Sequence, residues 1–471
     1  MNVLLTGVTG YIGKRLLPIL IQNGHFVFCC VRDKNRFTPP PTLSNFIKII
    51  EVDFLKENTL NNIPKNIDVA YYLIHSMSGS GDYKKLEAKA AYNFKHTIQT
   101  TNTKQVIYLS GIVNQNNLSK HLSSRKNVEE QLKSDLYKLT TFRAGIIIGS
   151  GSASFEIIRD LVEKLPIMVA PKWLKTKCQP IGIRDVIKIL NKALLNPQLY
   201  NQNYDIGGPN ILTYKQMLLL FAKFRKLNRK IYTVPVMTPK LSSYWLYFVT
   251  STNYRLASSL VESMSIDVIC RNDHINKILN IYPENYIIAL DRAFRKIEAN
   301  NIVSSWKDAQ ISGVKKFNIS DFIKIPSFGC FKDIRKRKIT SSKKILKKIW
   351  SIGGKNGWYH ANFLWQLRGF IDKIAGGVGL RRGRTSQTTL KAGDALDFWR
   401  VLYANKEEGR LLLFAEMKLP GEAWLEFHIK NNELIQTATF RPNGVLGRLY
   451  WYSILPLHGI IFKGMIDKIV R

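Results

Sequence analysis

Three glycines spaced three apart, Gly7, Gly10 and Gly13, are the first residues whose types and positions point to a chemistry. They lie in the run Gly7-Val8-Thr9-Gly10-Tyr11-Ile12-Gly13. That chemistry is the cradling of a pyrophosphate. Gly7 permits a tight turn, Gly10 lets the backbone approach a phosphate with no Cβ in the way, and Gly13 lets the following helix pack closely on the strand. N–H groups at the helix start then face the phosphates, which makes Thr9, Tyr11 and Ile12 candidate contacts beside the glycines. A second cue lies at the end of the next strand, where Val31 is followed by Arg32, with Lys34 and Arg36 close behind and Asp33 the only acid. An acid there would bind a ribose 2′-hydroxyl, whereas an Arg accommodates a 2′-phosphate. The run therefore reads as NADP, with NAD as the alternative. The five cysteines form no CxxC and no Cys/His cluster, so no metal site or disulfide framework is expected and a reducing cytoplasm fits.

These residues need a strand, a glycine turn and a helix in that order. Residues 2–6 are a short apolar run ending at Gly7, and Ile12, Leu16, Leu17, Ile19 and Leu20 form an apolar helical face. A second apolar strand, Phe26 to Val31, follows Gly24. The order predicts an α/β Rossmann-type doubly wound parallel sheet.

The Gly-x-x-Gly-x-x-Gly spacing resembles the short-chain dehydrogenase/reductase superfamily, in its extended and atypical branch. Val52-Asp53-Phe54 is similar to that family's acid at the adenine amino group, and implies Asp53 and Phe54 as cofactor contacts. Val69 to Ile74 resembles the fourth strand, whose end, Leu73, Ile74 and His75, would line the cleft. Val106 to Gly111 resembles the fifth strand with its active-site Ser110, and Arg143 to Gly149 the strand beside the nicotinamide. Pro180 to Val186 and Tyr204 to Pro209 resemble the closing strands. Members of the superfamily use a Tyr-x-x-x-Lys pair on the helix after the fifth strand, whose spacing puts both groups on one face. No such pair occurs between 108 and 140; His121 stands where the Tyr would and Arg125 where the Lys would. The resemblance thus implies His121 as acid or base, Ser110 as its polar companion and Arg125 as a holder of ribose or anion. The other reading is that catalysis is lost and only cofactor binding remains. The His-for-Tyr change and the run Ile148 to Glu156 resemble a bacterial subgroup described as nucleoside-diphosphate-sugar epimerase-like, related to an accessory subunit of respiratory complex I. A true sugar epimerase is disfavoured by the missing Tyr and Lys.

With 471 residues, two or three domains are expected. The 45% apolar and 22% charged content excludes a disordered, collagenous or low-complexity chain. No apolar run approaches the roughly 18–20 residues that span a bilayer, and the amino terminus lacks the basic region and apolar core of a signal peptide. Basic residues number 70 against 34 acidic, and the excess is spread over both halves. Compositional drift is one reading and attraction to an anionic membrane surface another. Nucleic acid is not expected, because zinc-finger spacing and aromatic RNA-binding signatures are lacking.

The expected divisions are a dinucleotide-binding domain over 1–235, a helical extension or substrate-side cap over 236–310, a basic linker over 311–349 and a carboxy-terminal domain over 350–471. Thr213 is expected to cap a helix over Tyr214–Phe224. Ser242 to Val261 is dense in aromatics and would cap the cleft or pack in the core. Within the linker, 332–338 is a dense basic run, and Lys343 to Ile349 could form a basic amphipathic helix at anionic lipid. Past a glycine hinge at Gly376–Gly379 come strand-like runs at Asp397–Tyr403, Arg410–Leu419, Trp424–Ile429 and Leu434–Phe440, an antiparallel meander, and then a helix over Gly447 to Val470 with a kink at Pro456. Asp397, Arg400, Glu416 and Glu426 would need partners if buried, and Arg381, Arg382 and Arg384 form a basic cluster. The runs Gly393 to Val401 and Phe414 to Gly421 resemble a START-like domain of the Bet v 1 superfamily: α+β, a curved antiparallel sheet with a long C-terminal helix. That resemblance implies a small hydrophobic ligand. The whole then reads as a cytoplasmic NADP-dependent reductase of a hydrophobic substrate such as a quinone or isoprenoid lipid, or as a non-catalytic NADP-binding sensor with a lipid-carrier domain at the inner membrane face.

Overall fold

In the computed structural model the described residues are 1–34, 37, 39, 41–74, 83–114, 120–234, 243, 258, 261–298, 325, 330–379 and 389–471. The chain forms two compact units, one built from Met1–Lys34 and Pro39–Ala309, the other containing Gln310–Arg471.

The first unit is built on seven parallel strands: β1 (Asn2–Leu5), β2 (Phe26–Val31), β3 (Ile47–Glu51), β4 (Val69–Tyr72), β5 (Gln105–Gly111), β6 (Lys138–Ala144) and β7 (Gln202–Ile206). Their order is β7-β6-β5-β4-β1-β2-β3. Strands covered on both faces must be apolar throughout, and β1, β4 and β5 are near-continuous apolar runs, buried along most of their length. Helices α2 (Tyr83–Gln99) and α3 (Lys120–Gln131) cover one face, where Phe94, Ile98, Val128 and Leu132 join Leu4, Ala70 and Val106 in one core. On the other face lie α1 (Gly13–Gln22) and α5 (Ile183–Lys192), with the Tyr71 hydroxyl donating to the Leu190 carbonyl at 2.8 Å. The strand order reverses between β1 and β4, so the carboxyl ends of these two strands flank the crevice where ligands bind in such sheets.

A second core in this unit joins α4 (Ala153–Lys164), α6 (Tyr214–Phe224) and α7 (Tyr286–Glu298) through Phe155, Phe221 and Phe294, whose ring centroids lie 5.5–5.9 Å apart. Helix α6 starts where the sequence places it. The Thr213 hydroxyl accepts the Gln216 N–H at 3.1 Å and the Gln216 side chain accepts the Thr213 N–H at 2.8 Å, a reciprocal cap. The aromatic run Tyr244 to Phe248 lies outside the described residues.

The second unit is a six-stranded antiparallel sheet, β8 (Phe331–Lys338), β9 (Ala395–Leu396), β10 (Trp399–Asn405), β11 (Arg410–Ala415), β12 (Gly421–Lys430) and β13 (Glu433–Pro442), in the order β8-β13-β12-β11-β10-β9. Helices α8 (Ser342–Ile349), α9 (Asn362–Ile374) and α10 (Gly444–Val470) complete it. The meander and the terminal helix match the expectation, and α10 continues through Pro456. The basic linker does not. Residues 331–338 pair along their whole length with β13, and α8 buries Ile345 and Ile349 in the domain core. The strand was hidden because it is an edge: its exposed positions include Lys332, Lys336 and Lys338, charges that protect an edge from pairing with another chain, and only Phe331 and Ile334 stand out as apolar. Phe331 stacks on Trp451 at 5.3 Å, and Arg337 pairs with Asp467 at 2.6 Å. The glycine hinge is a fixed turn, with the Asp372 carboxylate accepting from Gly379 and Lys418 N–H groups. Arg381, Arg382 and Arg384 lie outside the described residues.

Trp399 and Val401 face the core together with Leu411, Leu413, Leu425 and Phe427. Each of the four polar residues that needed a partner has one. Asp397 accepts from the Trp358 indole at 2.7 Å, and Glu426 pairs with Arg410 at 2.7 Å. Arg400, fully buried, pairs with Glu416 through contacts of 2.9 and 3.3 Å and donates to the Gly393 carbonyl at 2.6 Å. Removing one member of such a pair strands a buried charge, at a cost of about 3–5 kcal/mol, whereas replacing both with apolar groups of similar volume is close to neutral. Glu416→Leu should therefore lower stability by that amount, and Arg400→Met with Glu416→Leu should recover most of it, as read by urea unfolding.

Candidate functional site

The glycine turn is tied to the end of β4 before it does anything else. The Thr6 hydroxyl donates to the Tyr71 carbonyl at 2.8 Å and accepts the Leu73 N–H at 3.0 Å. Gly7 then takes φ +65°, a region that L side chains rarely adopt, and a Cβ there would stand 2.6 Å from the Leu73 carbonyl oxygen. A Cβ on Gly13 would stand 2.4 Å from the Gly7 carbonyl oxygen and 2.7 Å from the Val8 Cα. These two glycines are needed for the turn to close. Gly10 differs: among the described residues an added Cβ would meet only the Gly7 carbonyl oxygen, at 3.0 Å. The close-packed pair and the open middle position are the shape a pyrophosphate cradle requires, at the amino end of α1.

Tyr11 turns out to be a strut by its side chain. Its hydroxyl is buried, and burial pushes the phenol up to about 12. The buried Arg15 guanidinium lies 3.9 Å over the Tyr11 ring and donates to the Tyr11 carbonyl at 3.0 Å and to the Ser150 carbonyl at 2.8 Å. Arg15 thus ties the glycine turn to the segment after Ile147–Ile148. Sequence reasoning missed it; the available signal was Arg15 standing directly before Leu16 and Leu17 at the start of an apolar helix face, where Lys14 beside it is a second cation.

The other expected cofactor residues sit along the same edge of the sheet. Arg32 follows β2, is exposed and makes no hydrogen bond or ion pair among the described residues, while Asp33 is buried. Asp53 follows β3, and its carboxylate accepts the Leu55 N–H at 3.1 Å. The Phe54 ring packs in the core against Phe94 at 5.4 Å, so that residue faces the core by its side chain. Leu73 and Ile74, half-buried, follow β4. His75 lies outside the described residues.

Ser110 is the penultimate residue of β5. Its hydroxyl is buried and has no hydrogen-bond partner among the described residues. A buried polar atom left unsatisfied costs about 1–3 kcal/mol, so its presence at a strand's carboxyl end points to a partner that binds there. The neighbouring helix α3 packs on β5, with Leu122 against Gly111. His121 is its second residue, and its side chain lies outside what the structure describes. Arg125, one turn on, has its guanidinium 3.5 Å from the Tyr108 hydroxyl. The carboxyl half of α3 is held to β6 by a buried two-pronged pair, Glu129 with Arg143, at 2.8 and 3.0 Å. Arg143, matched in sequence to the strand beside the nicotinamide, is thereby an anchor of α3. Asn114 fixes the segment after β5 by donating to Asp205 at 2.9 Å and to the Ile269 carbonyl at 2.7 Å. Among the described residues no group of His, Cys, Asp and Glu could hold a metal ion.

The geometry can be set beside known proteins. The NmrA-like family model matches residues 1–244. Residues 330–465 match a second one, described as protein of unknown function (DUF2867). The chain is 24% identical over 227 residues to the chloroplastic divinyl chlorophyllide a 8-vinyl-reductase of Arabidopsis thaliana, covering 44% of this chain and 54% of that protein. It thus spans about half the length of that relative. It is 20% identical over 304 residues to the photosystem II assembly factor Ycf39 of Trieres chinensis, covering 60% of this chain and 86% of that one. Among solved structures, the Citrobacter sp. triphenylmethane reductase complexed with NADP(H) superposes with a TM-score of 0.50 at 12% identity, covering 62% of this chain and all of that one (100%). That likeness is one of fold, and it is the NAD(P)-binding fold that the sheet order and glycine turn describe. Gly13→Ala places a Cβ against backbone that cannot yield; it should lower the thermal midpoint by several degrees and weaken dinucleotide binding at least about tenfold, measured by NADPH fluorescence titration.

Proposed function

The chain belongs to the NmrA-like family, and on that premise we propose that it is an NADP(H)-dependent reductase of a hydrophobic substrate. The observation that carries the reading is the Ser110 hydroxyl, buried and without a partner among the described residues at the carboxyl end of β5. The open face at Gly10 supports the cofactor, and the exposed Arg32 supports a 2′-phosphate on it. The name of the Arabidopsis relative, a reductase of divinyl chlorophyllide, supports a hydrophobic substrate.

Bound NADPH supplies a hydride. The chain's own groups do the rest. The first N–H groups of α1 hold the pyrophosphate, and Arg32 neutralises the 2′-phosphate. Ser110 donates a hydrogen bond to the atom that gains electron density. His121, whose ordinary pKa lies near neutrality, delivers the proton from the start of α3. Arg125 keeps its charge throughout and serves as an anion or ribose holder, since a guanidinium is no base at physiological pH. In the second unit, a START-like role as holder of a hydrophobic ligand is supported by five buried polar atoms without partners among the described residues: the indole nitrogens of Trp365 and Trp399, Gln436 Oε1, Thr439 Oγ1 and His458 Nδ1. Burial holds the His458 imidazole down at about 4, so it is neutral and can accept as well as donate.

A second reading, a non-catalytic NADP-binding sensor with a ligand-carrying second domain, is favoured by the absent Tyr-x-x-x-Lys pair. Turnover with NADPH and a panel of quinones and conjugated alkenes separates the two. His121→Ala and Ser110→Ala should each reduce turnover by roughly 10²–10⁴-fold and leave the NADPH dissociation constant within about twofold; no turnover by the wild type on any acceptor leaves the sensor reading. Arg32→Ala should weaken NADPH binding about tenfold or more and leave NADH nearly unchanged, because it removes one charge-assisted contact.

A further inference from the structure

Single exposed apolar residues are common on folded proteins, but contiguous apolar faces are not. The second unit exposes two. On α9, Phe363, Leu367, Phe370, Ile371 and Ile374 are all exposed, Phe363 at 68%. Their spacing of four, seven, eight and eleven puts them on one side of the helix, and the buried residues Trp365, Gly369 and Asp372 mark the other. On α10 the division runs lengthwise. The carboxyl half is buried through Phe462, Met465, Ile466 and Ile469, while the first half exposes Leu446, Leu449, Tyr452, Leu455, Leu457 and Ile460, Leu446 at 74%. Residues 444–462 contain one Lys, Arg, Asp or Glu, namely Arg448. A stretch that apolar belongs in a core or against lipid. Yet no helix among the described residues is long and apolar enough to cross a membrane. What remains is a helix that lies on an apolar surface.

Charge decides which surface. Residues 311–471 carry 29 basic and 12 acidic residues, a net of +17. Arg448 and Lys463 on α10 are exposed and make no ion pair among the described residues, and Lys343, Lys344 and Lys347 are exposed on α8, whose Lys344 and Lys348 ammonium groups reach main-chain carbonyls at the carboxyl end of α10. A second copy of this chain would bring the same sign, +36 in total, to the contact. A sheet of anionic head groups over acyl chains complements both features, the charge and the apolar side chains.

We propose that the second unit docks on anionic lipid bilayers, inserting the exposed face of α9 and the amino-terminal half of α10 among the acyl chains. The test is flotation of the full chain with vesicles of equal parts phosphatidylcholine and phosphatidylglycerol. Binding is expected at about 0.05 M salt, and a several-fold loss at about 0.5 M. Phe370→Ser, Ile374→Ser, Leu449→Ser and Leu455→Ser together should cut the bound fraction at least about tenfold, since each removes buried apolar area at the bilayer. Arg448→Gln with Lys463→Gln should weaken it about fivefold for each charge removed, with the thermal midpoint and NADPH binding unchanged. This pair tests the idea independently should the serine variant fold poorly. The proposal is overturned if the wild type stays out of the vesicle fraction at low salt, or if it binds pure phosphatidylcholine equally well and without salt dependence. A concentration-dependent dimer in light scattering, dissolved by the serine substitutions, with no vesicle binding would equally overturn it and assign the face to a second copy.

Discussion

The contact between the Gly7 carbonyl and the backbone of Gly13, with Gly7 itself held against Leu73, sets the positions of β1, α1 and β4 at once. With no Cβ at either site, strand, turn and helix approach within distances that any side chain would forbid. Thr6 locks this turn to β4 by one hydroxyl used twice. Since the sheet order reverses between these two strands, the crevice opens there. Arg32 and Ser110 follow from strands whose carboxyl ends reach the same edge.

Buried guanidinium groups frame both units. Arg15 joins the glycine turn to the Ser150 carbonyl, Arg143 joins β6 to α3 through Glu129, and Arg400 joins β10 to Glu416. Each has a geometry that a planar fork satisfies and an ammonium would not. Such pairs add little net stability against well-packed apolar residues, but they penalise any arrangement that leaves a charge alone. The helix that bears His121 and Arg125 is positioned in this way: Leu122 seats its first turn on Gly111, and Glu129 fixes its far half. His121 therefore stands on a helix whose position relative to β5 is secured by groups other than itself.

The second unit combines an aromatic core with exposed apolar helix faces. Trp358, Trp365, Phe398 and Trp399 lie with centroids 4.8–6.5 Å apart in the core of the unit. The apolar residues that this core does not use are gathered on α9 and the start of α10. Inner aromatics give the domain its stability, and the outer face gives it a surface for contact.

By itself the sequence determined the parallel sheet, the glycine turn and its meaning, the Thr213 cap, the meander and the terminal helix. Each depends on local spacing: a period of two, a period near 3.6, or a residue type that only one backbone conformation accepts. Tertiary structure decided what depends on distant partners. Residues 331–338 carry five basic side chains among eight and look like solvated linker until β13 supplies the hydrogen bonds that make them an edge strand. Arg15 and Arg143 look like ordinary cations until Ser150 and Glu129, 135 and 14 residues away, receive them. The burial of the Ser110 hydroxyl without a partner among the described residues and the exposure of α10 are likewise properties of what surrounds a residue in space. Local pattern names the element, but only packing of the whole chain fixes which of its groups are satisfied and which are left for a partner.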